Sequence, residues 1–184
     1  MAALLMVGLV VLVPLLFLAV MYNRLVGVRN HCLEAWHNID TELKRRYDLI
    51  PNLVRCVKGY AAHEREVLEQ VTRLRQEAMA NTGSPEQQAR SENKLVRALN
   101  LLYARIEAYP DLKASGNFLH LQRELVNTED RIQAARRFYN GNVREMNNLV
   151  QMFPTNLIAQ MFGFGLREYF QVEEAHRAVP EASL

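Results

Sequence analysis

The sequence predicts an all-α protein in which a single N-terminal transmembrane helix is followed by an antiparallel four-helix bundle. The first 23 of its 184 residues carry no charged side chain, whereas all 22 Lys and Arg and all 20 Asp and Glu residues come after them. Apolar residues then recur every three or four positions, which is the spacing of one helix face. The eight glycines and six prolines are few, and no segment alternates between apolar and polar residues, so no sheet is predicted.

Residues 1–23 are predicted to form the membrane anchor. Their apolar run of about 21 residues would extend roughly 31 Å as a helix, which matches the hydrocarbon core of a bilayer. Pro14 is tolerated in a lipid-embedded helix, and Tyr22 suits the headgroup region. The alternative is a cleaved signal peptide. It is disfavoured because no Lys or Arg precedes Arg24, the run is long, and no small-residue cleavage motif follows.

The charges beside the anchor predict its orientation in the cell (inner) membrane, which the chain would cross once. No basic residue precedes the anchor, whereas Arg24, Arg29 and the basic residues 44–46 follow it. Because basic flanks stay on the cytoplasmic side, we expect the short N-terminus outside and the soluble domain in the cytoplasm. Cys32 and Cys56 are expected to be buried free thiols, which agrees with a reducing compartment.

Residues 24–154 are predicted to form the bundle, and its first two helices meet at a proline. The first apolar stripe covers residues 25–50 and can continue directly from the anchor. Pro51 lacks a backbone N–H and disfavours helical geometry in the residue before it, so we expect it to break or sharply kink the helix. The second stripe covers residues 53–78.

A capping box predicts the start of the third helix, because Ser84 stands three residues before Gln87. The stripe of this helix covers residues 95–109, and that of the fourth helix covers residues 118–153, with a proline after each. Residues 155–184 form an apolar and aromatic segment followed by a polar tail, Glu173 to Leu184.

A series of short motifs runs in order along these helices. They are Tyr22-Asn23, Leu25-Val26, Ala35-Trp36, Ile39-Asp40, Leu43 to Val54, Val57 to Ala61, His63-Glu64, Glu107 to Pro110, Asn117-Phe118, Leu121-Gln122, Glu124-Leu125, Thr128-Glu129, Ala135-Arg136, Tyr139-Asn140 and Phe153-Pro154. Together they resemble the LemA family of bacterial membrane-anchored proteins. The resemblance implies a four-helix bundle behind one membrane helix, no enzymatic activity, and association with membrane metalloproteases of the HtpX type. One magnetosome relative implies a role in membrane organisation.

The sequence offers no complete set of catalytic, metal-binding or cofactor-binding residues. Glu34 and His37 have the spacing of a di-iron motif, but Glu34 points about 200° away from Trp36, which lies on the predicted buried face. Residues 173–176 repeat the motif in the polar tail. His63-Glu64 begins like a zinc-protease motif, but the second histidine is missing. We therefore expect no cofactor and a protein that is not an enzyme.

Glu64 is the polar residue that falls on the apolar stripe of the second helix. A buried carboxylate needs a partner or a proton, so we expect a basic or hydroxyl partner from a neighbouring helix, with Arg136 as one candidate. The alternative is that Glu64 reaches solvent at the rim of the stripe.

Two surfaces are candidates for binding a partner. The first is the basic cluster Lys44, Arg45 and Arg46, which lies about 30 Å or more from the membrane along the helix and would face a protein. The second is the aromatic segment after the bundle, namely Met161, Phe162, Phe164, Tyr169 and Phe170. The alternatives are that the cluster is a solvated helix end and that the segment folds back on the bundle. Core or structural roles are predicted for Trp36, Pro51, Glu64, Tyr109, Tyr139 and Phe153.

These observations predict a non-catalytic, membrane-anchored interaction or adaptor protein. Its expected partners are other membrane proteins, with an HtpX-type protease as one possibility, or further copies of itself. A net charge of +2 gives no electrostatic case for binding nucleic acid. The alternative function is a homo-oligomeric scaffold that organises or shapes the membrane, although Gly8 has no second glycine at the spacing of a helix-pairing motif.

Overall fold

The computed structural model of the protein describes residues 1–61 and 63–171, except for the side chains of residues 2–7 and 11. Its helices are α1 (Ala2–Tyr60), α2 (Arg65–Ala80), α3 (Pro85–Ile106), α4 (Pro110–Ala114), α5 (Gly116–Gln151) and α6 (Thr155–Met161). These described residues include no strand, so the all-α class is confirmed, while the antiparallel four-helix arrangement stays a prediction. The predicted polar tail from Glu173 and the Glu173-Glu174-Ala175-His176 motif lie outside the described residues.

The anchor and the first bundle stripe share one helix, because α1 continues for 59 residues. Within the described part of the chain, α1 is the helix that is long and apolar enough to cross a membrane. Large apolar side chains between Leu9 and Val20 point away from the protein and are mostly exposed. Such a surface is stable in lipid rather than in water. The structure therefore agrees with a membrane anchor at the N-terminus.

Pro51 does not break α1, which ends only at Tyr60. Of the two outcomes predicted for this proline, a break or a sharp kink, the break is therefore wrong. Proline has no N–H to donate to the carbonyl four residues earlier, which belongs to Tyr47. Arg75 of α2 replaces that donor, since its Nε lies 2.6 Å from the Tyr47 carbonyl oxygen. The hydrogen bond that the proline cannot donate is thus supplied from a neighbouring helix.

The described chain forms two compact units, and the first contains residues 1–40 and 134–169. In this unit Arg24 pairs with Glu145 at 3.2 Å, and the rings of Trp36 and Tyr139 are 5.4 Å apart. Because these contacts occur in reverse order along α1 and α5, the two helices run antiparallel within this unit. The predicted stripes supply most of the core of this unit, which includes Leu25, Cys32, Ile39, Tyr139, Val143 and Met146. Ala35 is buried although the predicted stripe passed through Trp36, which is half-buried.

The second unit contains residues 41–133 together with Phe170 and Gln171. Here α2 and α3 pack side by side across a short loop. The predicted capping box is confirmed at the start of α3: the Ser84 hydroxyl accepts from the Gln87 N–H, and the Gln87 side chain accepts from the Ser84 N–H. The core of this unit again follows the predicted stripes and includes Leu43, Ile50, Leu53, Val57, Val71, Leu95, Leu102 and Ile132.

The end of α5 differs from the sequence prediction. α5 stops at Gln151, and the short helix α6 follows after a cis peptide bond between Phe153 and Pro154. Phe153 was predicted to lie in the core, but its exposed fraction is 79 %. Because the helix ends before Phe153, this residue no longer continues the apolar stripe of α5, and the core prediction for it is wrong.

We predict that Arg75→Met lowers the free energy of unfolding by about 1.5–3 kcal/mol, because it leaves the Tyr47 carbonyl without a charged donor. Arg73→Met is the matched control and should lower it by less than about 1 kcal/mol, since Arg73 makes an exposed pair with Glu77. Denaturant unfolding of the full-length protein in detergent, followed by circular dichroism, measures both effects.

The same experiment in a Pro51→Ala background isolates the replaced hydrogen bond. Alanine restores the N–H that proline lacks, so Arg75→Met should then be clearly less damaging than in the natural chain. Equal losses in the two backgrounds would contradict the role assigned to Arg75.

Candidate functional site

A buried ionic cluster joins three helices at the second half of α1. Arg46 is only 2 % exposed, and its guanidinium pairs with Glu92 of α3 and, at 2.8 Å, with Glu129 of α5. Glu92 is fully buried. It also accepts hydrogen bonds from the Tyr47 hydroxyl and, at 2.7 Å, from the Gln88 amide. Several hydrogen-bond donors therefore surround the Glu92 carboxylate, which is shielded from solvent. A buried ion pair is stable only when its charges are compensated in this way.

This cluster corrects the predicted partner-binding role of Arg46. Its side chain is in the interior, because it lies on the same face of α1 as Leu43 and Ile50, three residues before and four residues after it. Lys44 is exposed. Arg45 is partly exposed and pairs with Glu124 at 2.8 Å. Of the predicted basic cluster, only Lys44 and the outer part of Arg45 are therefore placed where a partner could reach them.

Sequence reasoning missed Glu92 and Gln88, although a signal was present. They stand three and seven residues before Leu95, so they extend the apolar stripe of α3 towards its N-terminus with polar side chains. Two polar residues at core positions indicate a buried network. The sequence alone does not identify their partners, because Arg46 and Tyr47 are more than 40 residues away.

Glu64 meets two of the partner types expected for it, but not the candidate Arg136. It accepts a hydrogen bond from the Tyr109 hydroxyl at 3.1 Å, and Arg105 Nε lies 3.9 Å from its other oxygen. Burial and this hydrogen bond raise the pKa of Tyr109. The side chain of Glu64 is mostly but not fully buried, so the contact ties the start of α2 to the end of α3 near the surface.

The aromatic segment after α5 folds back, which is the alternative left open by its sequence. Gly163, with φ at +71°, ends α6, so that the Phe164 N–H reaches the Ala159 carbonyl at 2.8 Å. This hydrogen bond is that of a Schellman motif, in which glycine adopts a left-handed conformation at little cost. Ala159 and Phe164 are both buried. Phe164 is therefore a packing residue rather than a partner-binding one.

Side chains of α5 hold the residues that follow. The Asn147 amide donates to the Arg167 carbonyl at 3.0 Å and accepts from the Arg167 N–H at 2.8 Å. The Tyr139 hydroxyl donates to the Glu168 carbonyl at 3.0 Å, and burial raises the pKa of Tyr139 to about 12. Phe170 is fully buried, which also removes it from the candidate binding surface. Met161, Phe162 and Tyr169 remain exposed.

The cysteines and the metal-like motifs add no reactive centre to the described residues. Cys32 and Cys56 are free thiols, as predicted, but only Cys32 is buried, whereas Cys56 is partly exposed. Burial raises the pKa of each thiol, which keeps it protonated and weakly nucleophilic. Glu34 and His37 are both exposed. No group of three or more potential metal ligands occurs among residues 1–61 and 63–171.

Comparison with known proteins gives a consistent family match. A family model described as the LemA family matches residues 35–183. Protein LemA of Metamycoplasma hominis is 29 % identical over 164 residues, which cover 88 % of this chain and 74 % of that protein. Magnetosome protein MamQ 1 of Paramagnetospirillum magneticum is 27 % identical over 179 residues, covering 84 % of this chain. The chain matches 66 %, just under two thirds, of the length of that magnetosome relative.

We predict that Arg46→Ala lowers the free energy of unfolding by about 3–5 kcal/mol, because it leaves the Glu92 charge buried without its cation. The neighbouring Lys44→Ala should change it by no more than about 0.5 kcal/mol. The double variant R46M/E92M removes both charges and should recover part of the loss. Denaturant titration of the full-length protein tests these values, and equal effects at positions 44 and 46 would refute the buried cluster.

Proposed function

This chain belongs to the LemA family, and from that premise we propose that it is a non-catalytic, membrane-anchored adaptor whose helical domain binds other membrane proteins. The observation that carries this proposal is the continuity of α1, which joins the apolar anchor to the helical domain within one helix. An adaptor fixed in this way meets other membrane proteins in two dimensions and at a raised local concentration. The names of the two relatives reported above describe no enzymatic activity.

The surface of the second unit supports a role in binding. A groove of about 230 Å³ between α3 and the start of α5 has both apolar and polar walls. Its apolar residues include Tyr103, Phe118, Leu119 and Val126, and its polar residues are Glu107, Lys113 and Gln122. Leu119 and Val126 are exposed although they are apolar. Lys44 and Arg45 offer a separate basic surface. A membrane metalloprotease of the HtpX type, which the family resemblance suggests, is the partner class that we propose for these surfaces.

A second candidate function is a homo-oligomeric scaffold that organises or shapes the membrane. Relatives named as magnetosome proteins favour it, since they match 84 % of this chain. The scaffold would use contacts between copies of this chain in place of a protease.

The adaptor and the scaffold differ in what their exposed residues contact. In the full-length protein, we would place a photo-crosslinking amino acid at Leu119 in the groove or at Leu101, whose exposed fractions are 43 % and 42 %. Leu101 does not line the groove and is the matched control. The adaptor predicts that position 119 captures one membrane protein in native membranes and that position 101 does not. A ladder of self-crosslinks alone would contradict the adaptor and support the scaffold.

We also propose that the protein lies in the inner membrane with its N-terminus outside and its helical domain in the cytoplasm. Arg24 and Arg29 follow the apolar run directly, and basic flanks remain on the cytoplasmic side. We predict that a C-terminal fusion to green fluorescent protein fluoresces, whereas a C-terminal fusion to alkaline phosphatase is inactive. The opposite pair of results would reverse the proposed orientation.

A further inference from the structure

The sequence around α6 has fewer charged side chains than any other part of the chain that follows the anchor. Residues 146–166 contain no Lys, Arg, Asp or Glu, and this is the longest uncharged stretch after the anchor. A surface helix in water carries polar and charged residues on its outer face. The lack of charge around α6 therefore needs an explanation other than exposure to solvent.

The outer face of α6 is apolar and open. Leu157 and Met161, four positions apart, share this face and are 56 % and 61 % exposed. Ala159 is buried on the opposite face, and Ile158, beside it, is buried as well. Three further exposed apolar residues flank the helix in the sequence, namely Met152, Phe153 and Phe162. We call these five exposed residues the α6 patch. A group of exposed apolar side chains of this kind is typical of a binding surface.

Contacts within the first unit place the α6 patch beside the end of the membrane anchor. The ring of Tyr22 lies 4.7 Å from the ring of Phe162 and 6.0 Å from that of Phe164, measured between centroids. Tyr22 ends the apolar run of α1, where the chain leaves the hydrocarbon core. The Arg29 guanidinium lies 5.5 Å from the centre of the Phe164 ring. Aromatic residues, an arginine and an apolar helix face thus occur together beside the C-terminal end of the apolar run of α1.

We propose that the α6 patch is embedded in the interfacial region of the bilayer and forms a second lipid contact beside the anchor. An apolar helix face in such a position enters the headgroup and acyl boundary by about 5–10 Å. Lipid is the occupant that we propose, because the patch is uncharged and its residue Phe162 contacts Tyr22 at the end of the anchor. This inference rests on membrane anchoring and is independent of the adaptor's partner.

Tryptophan quenching by brominated lipid tests this proposal in the full-length protein. Trp36 is the only tryptophan of the chain, so Trp36→Phe gives a background in which F162W or L157W reports from the patch. Phe138→Trp is the matched control. Phe138 is an exposed aromatic residue that adjoins Tyr139, the ring partner of Trp36, and Trp36 lies about 21 Å along α1 from Tyr22. The variants are reconstituted in phosphatidylcholine vesicles with or without bromine on the acyl chains.

We expect F162W and L157W to lose emission in vesicles brominated near the headgroups, whereas F138W keeps its emission and is quenched by aqueous acrylamide. If brominated lipid does not quench the emission of F162W and L157W, the proposal is overturned. This holds whether acrylamide quenches that emission from the water or a bound protein shields it from both quenchers. Should Trp36→Phe impair folding, subtracting the emission of the natural chain from that of a chain with Phe162→Trp alone gives the same comparison.

Discussion

The backbone of α1 must keep its polar groups satisfied across Pro51, and much of the second unit depends on how this is achieved. Tyr47 is the residue on which the contacts meet. Its carbonyl, which Pro51 leaves without the usual donor, accepts from Arg75 of α2. Its hydroxyl donates to Glu92 of α3, which also pairs with Arg46. One turn of α1 thereby binds two neighbouring helices through polar contacts, and Arg46 adds α5 through Glu129.

This arrangement has consequences for where function can lie. Buried charges confine α1 to one register against its neighbours, because any shift would leave Arg46 or Glu92 unpaired away from water. Because Arg46 is buried, only Lys44 and part of Arg45 remain accessible to a partner from the predicted basic cluster. The folded-back segment after α6 likewise buries Phe164 and Phe170. Among the residues that the structure describes, the surfaces open to partners and lipid include Lys44 with the outer part of Arg45, the groove beside Leu119 and the α6 patch.

The sequence predicted the helical class, the anchor and nearly all core positions, because apolar spacing and capping motifs are local signals. The stripe positions Leu25, Ile39 and Leu102 are each buried as expected. Its failures include residues with distant partners and residues at helix ends, such as Tyr60, which ends α1 and is exposed. Pro51 was expected to break or sharply kink α1, because Arg75 stands 24 residues later and no local pattern links the two. Phe153 was placed in the core because periodicity does not show that α5 stops two residues earlier.

The candidate sites were less predictable than the fold for the same reason. The exposure of Lys44 and the burial of Arg46 differ because the two residues point in different directions from one helix, which becomes clear only when its neighbours are known. Glu92 and Arg46 both stand at stripe spacing on their own helices, but no local pattern shows that the two residues pair with each other. The contacts of Tyr47 and Arg46 require that α1 continues through Pro51.

Amide hydrogen exchange of the full-length protein in lipid nanodiscs measures this continuity most directly. We expect the amides around Pro51 to exchange as slowly as those around Ile39, and rapid exchange confined to residues 48–54 would contradict a continuous helix.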